Sequence, residues 1–275
     1  MNRWLITGVG AGLGAALARA TLERGDTVAG TARDADALTK FEALAPGRAF
    51  GFRLDLRDEA RIAAVASGAH AALGGIDVLV NNAGYGLVGA VEEASAAEIR
   101  DQFAVNVFGP VAMIQAVLPF MRERRAGHVV NITSASGLAT WAGTGVYCAS
   151  KFALEAFGRT LAQEVAGLGI KVTNVAPGAM RTDYAGRSLV VTSAHIPDYD
   201  GAGHLAKTVL AEQAGRESGD PDLVARAILR AVDAEAPPMH LVLGADALHY
   251  AEREIAALQR DIEAWRAVSL AIEGG

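Results

Sequence analysis

The apolar run Arg3-Trp4-Leu5-Ile6-Thr7 ends in Gly8-Val9-Gly10-Ala11-Gly12-Leu13-Gly14 and passes directly into the helical pattern Ala15 to Leu22. In order, this is a strand, a glycine-rich turn and a helix. Glycine lets the backbone turn tightly and approach a pyrophosphate closely, while the helix amino terminus offers unpaired N–H groups and partial positive charge. The unit predicts a dinucleotide cradle, with Gly8, Gly12, Leu13 and Gly14 as its contacts. The spacing is T-G-x-x-x-G-x-G rather than G-x-G-x-x-G. A lone glycine cluster is weak evidence; its place between a strand and a helix gives it meaning.

The rest of the chain continues the alternation. Strands are expected at 3–7, 27–32, 49–54, 76–80, 128–133, 170–175 and 239–243. Helices are expected near 12–24, 58–73, 96–124, 147–168, 221–234 and 246–268. Most of the strands are apolar on both faces, as buried parallel strands are. The fold class is α/β: a doubly wound Rossmann fold with a seven-stranded parallel sheet flanked by helices and an extra C-terminal helix. One domain over 1–275 suffices, because α/β domains of that length are ordinary. Residues 183–220 break the alternation, and a segment so long without a period reads as a substrate-binding loop or lid. Within 96–124 the apolar spacing marks one long helix with Asn106 near its middle, interrupted at Gly109-Pro110. Pro110 has no N–H to give the Asn106 carbonyl four residues earlier, which predicts a kink that frees that oxygen to hold a water.

In Val-Tyr-Cys-Ala-Ser-Lys-Phe, Tyr147 and Lys151 stand one helical turn apart on the same face. A free phenol, with a pKa near 10, is only about 0.1% ionised at neutral pH. A lysine ammonium about 4 Å away, at an effective dielectric of about 20, favours the phenolate by roughly 4 kcal/mol before desolvation. The pair can thus make an acid–base catalyst, although the spacing alone is common on helices.

Further residues give the pair a context. Asp55-Leu56 follows the third strand, Asn81-Asn82-Ala83-Gly84 the fourth, and Ser134 lies thirteen residues before Tyr147. Pro177-Gly178 is followed by Thr182. With the glycine turn and Asn106, this ordered set resembles the short-chain dehydrogenase/reductase family, in its compact single-domain branch. The resemblance implies hydride transfer between a nicotinamide cofactor and a carbonyl or secondary alcohol carbon, a ketoreductase chemistry. It implies Tyr147 as general acid/base, Ser134 on the substrate oxygen, Lys151 lowering the tyrosine pKa and holding the nicotinamide ribose, and Asn106 supporting a proton-relay water. It assigns Asp55 and Leu56 to the adenine, Asn82, Ala83 and Gly84 to the nearer ribose and the crevice, and Pro177, Gly178 and Thr182 to the carboxamide. A non-catalytic NADP-binding sensor, and a sugar-nucleotide epimerase or dehydratase, are the other readings. The first need not retain Ser134, Tyr147 and Lys151; the second normally uses the other glycine spacing.

Cofactor choice turns on Ala29-Gly30-Thr31-Ala32-Arg33-Asp34 at the end of the second strand. A ribose 2′-hydroxyl calls for a carboxylate there, and a 2′-phosphate for a cation. The family's acidic position is Ala32 here and Arg33 follows, so NADP(H) is preferred, with NAD(H) possible through Asp34. The net charge of −6 and scattered basic residues argue against a nucleic-acid partner. No signal peptide and no membrane span are expected, and cytoplasm is the default location. The single Cys148 reads as a small buried filler. No histidine pair has metal-ligand spacing, so no metal is expected. Trp141, Tyr85, Tyr184 and Leu189 are candidates to line a small-molecule pocket. Ala149, Ala153, Ala156 and Gly158 would let a partner helix pack closely, which with the resemblance suggests a homo-oligomer, dimer or tetramer.

Overall fold

A computed structural model describes residues 1–182, 188–213 and 215–272. Its strands are β1 (Arg3–Thr7), β2 (Thr27–Ala32), β3 (Ala49–Arg53), β4 (Val78–Asn81), β5 (Gly86–Val88), β6 (Gly127–Ile132), β7 (Ile170–Pro177), β8 (Leu189–Val191) and β9 (His240–Leu243). Its helices are α1 (Gly12–Glu23), α2 (Ala35–Glu42), α3 (Glu59–Leu73), α4 (Ala96–Phe103), α5 (Gly109–Arg124), α6 (Gly145–Val165), α7 (Leu205–Gln213), α8 (Pro221–Asp233) and α9 (Ala245–Leu270). Seven strands form one parallel sheet in the order β3-β2-β1-β4-β6-β7-β9. The chain leaves β1 toward one edge and returns to β4 on its other side. That reversal opens a crevice beyond the carboxyl ends of β1 and β4, where ligands of such sheets bind.

Neighbouring residues of a strand point to opposite faces, so an all-apolar strand needs a cover on each side. The structure supplies both. Trp4, Ile6, Val78, Val80 and Val130 share one core with Leu13 and Leu17 of α1 and Ile228 of α8. Leu5, Leu79 and Val129 share the other with Ile62 of α3, Val117 of α5 and Leu161 of α6.

The structure departs from the sequence expectation in several places. Helix α2 was not expected; the Asp34 carboxylate caps it by accepting the Asp36 N–H at 3.0 Å. Among its described residues the irregular segment after β7 is ordered: β8 pairs in parallel with β5, and a 3-10 turn at Pro197–Tyr199 and α7 follow it. The expected helix 96–124 is continuous but changes winding: Ala104–Phe108 form a π-helical turn, in which the Gly109 N–H bonds back to the Ala104 carbonyl. The irregularity sits immediately before Pro110, the residue that cannot donate. This stretch also amends the expectation about membranes. Ala96–Arg124 is long and apolar enough, by length and composition alone, to cross one, and residues 104–121 carry no charge. In the fold its apolar side chains Met113, Val117 and Met121 are core residues, fully covered. Gly158 does not face a partner helix either: a Cβ there would lie 2.0 Å from Asn174 Oδ1 on β7.

The turn after β1 is packed so tightly that one methyl group tests it. A Cβ on Gly14 would lie 2.1 Å from the Gly8 carbonyl oxygen and 2.4 Å from Asn82 Nδ2. Gly14→Ala is expected to lower unfolding free energy by about 1–3 kcal/mol in urea titration, and to weaken nicotinamide cofactor binding measured by fluorescence. Unchanged values of both would show that the turn yields.

Candidate active site

Gly8 and Gly12 adopt φ of +76° and +55°, in the left-handed region that glycine enters without penalty. Two polar residues hold the turn in that shape. Asn82 Nδ2 donates to the carbonyls of Thr7 and Gly8 at 2.9 and 3.2 Å, and Thr7 Oγ1 accepts the N–H groups of Asn82 and Ala83 at 2.9 and 3.1 Å. Asn82 therefore braces the cradle with its side chain, rather than presenting that amide to a ribose. Thr7 was missed in the sequence, where it reads as an ordinary strand residue. Helix α1 starts at Gly12 behind Ala11, which has no capping side chain, and its first turn carries no acid. Its leading amides suit an anion. Leu13 is buried beneath them and Thr182 lies over them, its Cβ 3.5 Å from where a Gly12 Cβ would be.

At the neighbouring strand ends, Asp55 is held by Arg57, whose Nε and Nη2 donate to it at 3.0 and 2.6 Å. This paired guanidinium keeps the Asp55 carboxyl below the usual carboxylate range. Leu56 is a core residue packed against Gly109. Arg33 is exposed. The register of β2 and β3 sets Arg53 opposite Ala32, and Arg53 Nε donates to the Arg33 carbonyl at 3.1 Å. Two guanidinium groups thus flank the end of β2, while Asp34 is engaged in capping α2.

On the other side of the crevice, Ser134 follows β6, and its Oγ accepts the Ser136 N–H at 3.0 Å. Tyr147 and Lys151 lie on the first turns of α6, with Lys151 Nζ 5.8 Å from the centre of the Tyr147 ring. Lys151 is buried and donates to the Ile132 carbonyl at 2.9 Å. Burial lowers its pKa to about 8, with Glu155 opposing the shift. Asn106 closes the group. Its Oδ1 accepts the Tyr85 N–H at 3.1 Å, and its Nδ2 donates to the Tyr85 carbonyl at 2.9 Å and Ser150 Oγ at 3.1 Å. The Asn106 side chain thus pins the loop after β4 to α6, a bracing role absent from the sequence expectation. A Cβ on Gly84 would lie 3.1 Å from Asn106 Oδ1 and 3.6 Å from Lys151 Nζ, which shows how closely the three converge.

Behind this group runs a buried polar ladder. Asn81 donates to Asn131 at 2.9 Å, Asn131 to Asn174 at 3.1 Å, and Asn174 to the Glu155 carboxylate at 2.8 Å. Thr133 also donates to Glu155, at 2.7 Å. Glu155, one turn beyond Lys151, went unnoticed in the sequence because nothing local marks it. The same is true of Asp246 in α9. Pro177 ends β7, the Gly178 N–H bonds the Leu243 carbonyl at 2.8 Å, and the Ala179 N–H bonds Asp246 Oδ2 at 2.8 Å.

The stretch 188–213 docks on the segment that follows β5. Glu93, buried, accepts the N–H groups of Ala90 and Ile196 at 2.8 and 2.6 Å and pairs with His204 Nε2 at 2.8 Å. His204 Nδ1 lies 2.8 Å from Asp200 Oδ1. Glu93, His195 and His204 have nitrogen and oxygen atoms all within 4.8 Å of one another, a juxtaposition that chain spacing did not reveal. Both nitrogens of His204 face carboxylates, which suits a shared proton more than a metal ion. The two pairings raise the His204 pKa. Trp141 packs against Tyr250 of α9 in a T-shaped contact with ring centres 5.0 Å apart. Tyr184 lies outside the described residues.

A family model described as short chain dehydrogenase matches residues 2–189. The chain belongs to the short-chain dehydrogenase/reductase family. Like other members it is an oxidoreductase enzyme on a Rossmann-type fold. It is 36% identical over 269 residues to the oxidoreductase BOA17 of Botryotinia fuckeliana, covering 98% of each chain. A short-chain dehydrogenase structure from Streptomyces avermitilis is 41% identical with a TM-score of 0.92, covering 99% of this chain and 98% of that one. A short-chain dehydrogenase/reductase from Burkholderia phymatum, solved with NAD, is 25% identical with a TM-score of 0.83, covering 94% of this chain and 95% of its own. An alcohol dehydrogenase from Thermococcus sibiricus, solved with 5-hydroxy-NADP, is also 25% identical, with a TM-score of 0.72 and coverages of 88% and 96%. Structures on this fold have thus been solved with NAD and with an NADP derivative.

The His204 clasp on Glu93 carries a pH signature. A histidine whose pKa rises on docking contributes fully below its unfolded value near 6.5, and loses that contribution as pH climbs through the docked value. Limited proteolysis within 188–213 is expected to accelerate several-fold between pH 6 and 9. His204→Gln should be cleaved quickly at both pH values, and a flat wild-type profile would refute the clasp.

Proposed function

We propose that this enzyme interconverts a carbonyl and a secondary alcohol by NADP(H)-dependent hydride transfer, with Tyr147 as the general acid/base. The observation that carries the reading is the Lys151 ammonium, buried in the crevice and positioned over the Tyr147 ring. A cation in that place has a chemical use: it favours the phenolate and so lets the phenol exchange a proton near neutral pH.

The cradle after β1 fits a dinucleotide. Glycines at 8 and 14 let the turn close tightly beside the leading amides of α1, which suit a pyrophosphate. A bound nicotinamide supplies or accepts the hydride. Pro177, Gly178 and Thr182, braced from behind by Asp246, form the wall that orients the ring, and Lys151 holds the adjoining ribose. The Ser134 hydroxyl, which accepts from Ser136, has its own proton to donate to the substrate oxygen. Tyr147 donates its proton to that oxygen during reduction and takes one back during oxidation. Lys151 supports this exchange while charged, below about pH 8. The π-helical turn before Pro110 leaves the backbone around Asn106 irregular, which is compatible with a water there linking Lys151 to solvent.

For the cofactor, Arg33 and Arg53 at the ends of β2 and β3 favour NADP(H), since a 2′-phosphate gains charge-assisted hydrogen bonds there. Exposed aromatic side chains, Phe108 in the π-helical turn before α5 and Phe157 on α6, support a homo-oligomer. The substrate is a small carbonyl or alcohol.

Tyr147→Phe should lower kcat at least about 100-fold while cofactor binding persists; wild-type kcat/KM should fall above about pH 8. Turnover that survives the substitution removes Tyr147 from the mechanism, and cofactor binding without turnover by the wild type would make the protein a sensor. In parallel, Arg33→Ala should reduce kcat/KM with NADP(H) about tenfold or more and leave the value with NAD(H) nearly unchanged. An unaltered cofactor ratio excludes Arg33 from recognition.

A further inference from the structure

Helix α9 begins against the body and then leaves it. Ala247 is buried and Tyr250 meets Trp141, but every residue from Leu258 to Leu270 is exposed. At a rise of 1.5 Å per residue, these thirteen residues carry the helix about 20 Å into solvent. A lone helical segment of that length is marginal in water, because its stability ordinarily comes from packing one face. One face of α9 is built for packing. Leu248, Ile255, Leu258, Ile262 and Trp265 fall on a single stripe, with Ala251 completing the alternation of threes and fours. The last four of the large ones are 50–65% exposed.

We propose that this stripe is a coiled-coil seam, and that its occupant is α9 of a second copy of this chain, running parallel. Three observations choose that occupant. First, the spacing is a heptad, the repeat that keeps one helix aligned on another; a helix lying on a sheet or globular surface needs no such strictness. Second, the seam has isoleucine at positions 255 and 262 and leucine at 258, the arrangement of β-branched a and leucine d positions that favours two parallel strands. Third, the flanks match in charge. In a parallel pair Asp261 of one copy stands beside Arg266 of the other, twice by symmetry, and no like-charged pair arises between 254 and 259.

The size is also sufficient. With on the order of 100 Å² leaving solvent at each of six seam positions per copy, the pair would bury roughly 1,200 Å², where specific interfaces begin. A membrane surface fits less well. Along α9, Asp246, Glu252, Glu254, Asp261 and Glu263 outnumber the three arginines, so anionic lipid would repel the helix. The seam is separate from Phe108 and Phe157, and pairing through both regions would give an assembly larger than a dimer.

The test uses the full chain. Leu258→Asp with Ile262→Asp should halve the mass measured by light scattering, with kcat and KM unchanged because neither residue touches the crevice. An unchanged mass overturns the proposal, as does a wild type already monomeric at tens of micromolar. Ile262→Cys, in a chain whose own Cys148 is buried, should form a covalent dimer on mild oxidation, whereas Arg260→Cys on the opposite face should not. Failure of Ile262→Cys to cross-link rules out the parallel register. Sedimentation of the wild type, but not the double variant, with phosphatidylcholine/phosphatidylserine vesicles at unchanged mass would assign the stripe to lipid instead.

Discussion

The site depends on a buried charge. Lys151 sits in the crevice with its ammonium on the Ile132 carbonyl, and burial brings its pKa down to about 8. Its folded pKa is below the unfolded value of 10.5, so the unfolded chain binds more protons between those values and stability rises with pH across that window. At neutral pH the fold bears the unrelieved cost, roughly 3 kcal/mol for a shift of this size. A fold retains such a cost when the charge has a use, and the Tyr147 ring lies beneath it. The surrounding polar groups can be understood as holding that charge in place.

Glu155 answers it electrostatically from one turn away, and its carboxylate is itself held by Thr133 and Asn174. From there the asparagine ladder crosses β7, β6 and β4, so that its orientation is tied to the middle of the sheet. At the opposite wall the same principle recurs on a smaller scale: Thr7 and Asn82 fix the glycine turn, and Asn106 fixes the loop beyond it. Each half of the crevice is positioned by amides and hydroxyls hydrogen-bonded within the core, with Asn81 Oδ1 left unpartnered at the end of the ladder.

The alternation of apolar runs with helical periods made the sheet legible from the chain alone, because a strand buried on both faces has no other composition available. Glycine at 8, 12 and 14 was legible for a related reason: backbone shape and close approach exclude any side chain. What escaped were residues whose partners are distant in sequence. Glu155, Asp246 and the His204–Glu93 pairing acquire meaning only when the fold brings a second element beside them. The bonds that the Asn82 and Asn106 side chains make were not legible either, since chain position does not say which way an amide points. Helix α2 was hidden because Asp34 was weighed as a ribose ligand, whereas it caps the helix.

The brace behind Pro177-Gly178 has a bearing on synthesis. The turn proposed to wall the nicotinamide side is fixed by Leu243 and by Asp246, which lies 67 positions downstream of its partner Ala179. A growing chain can assemble β1 to β7 with the glycine cradle and the Tyr147 helix before either residue exists. It would then own a nucleotide-binding crevice with one side unset. Only emergence of β9 and the first turn of α9 finishes that wall, so the newborn enzyme acquires its cradle early and its competence late.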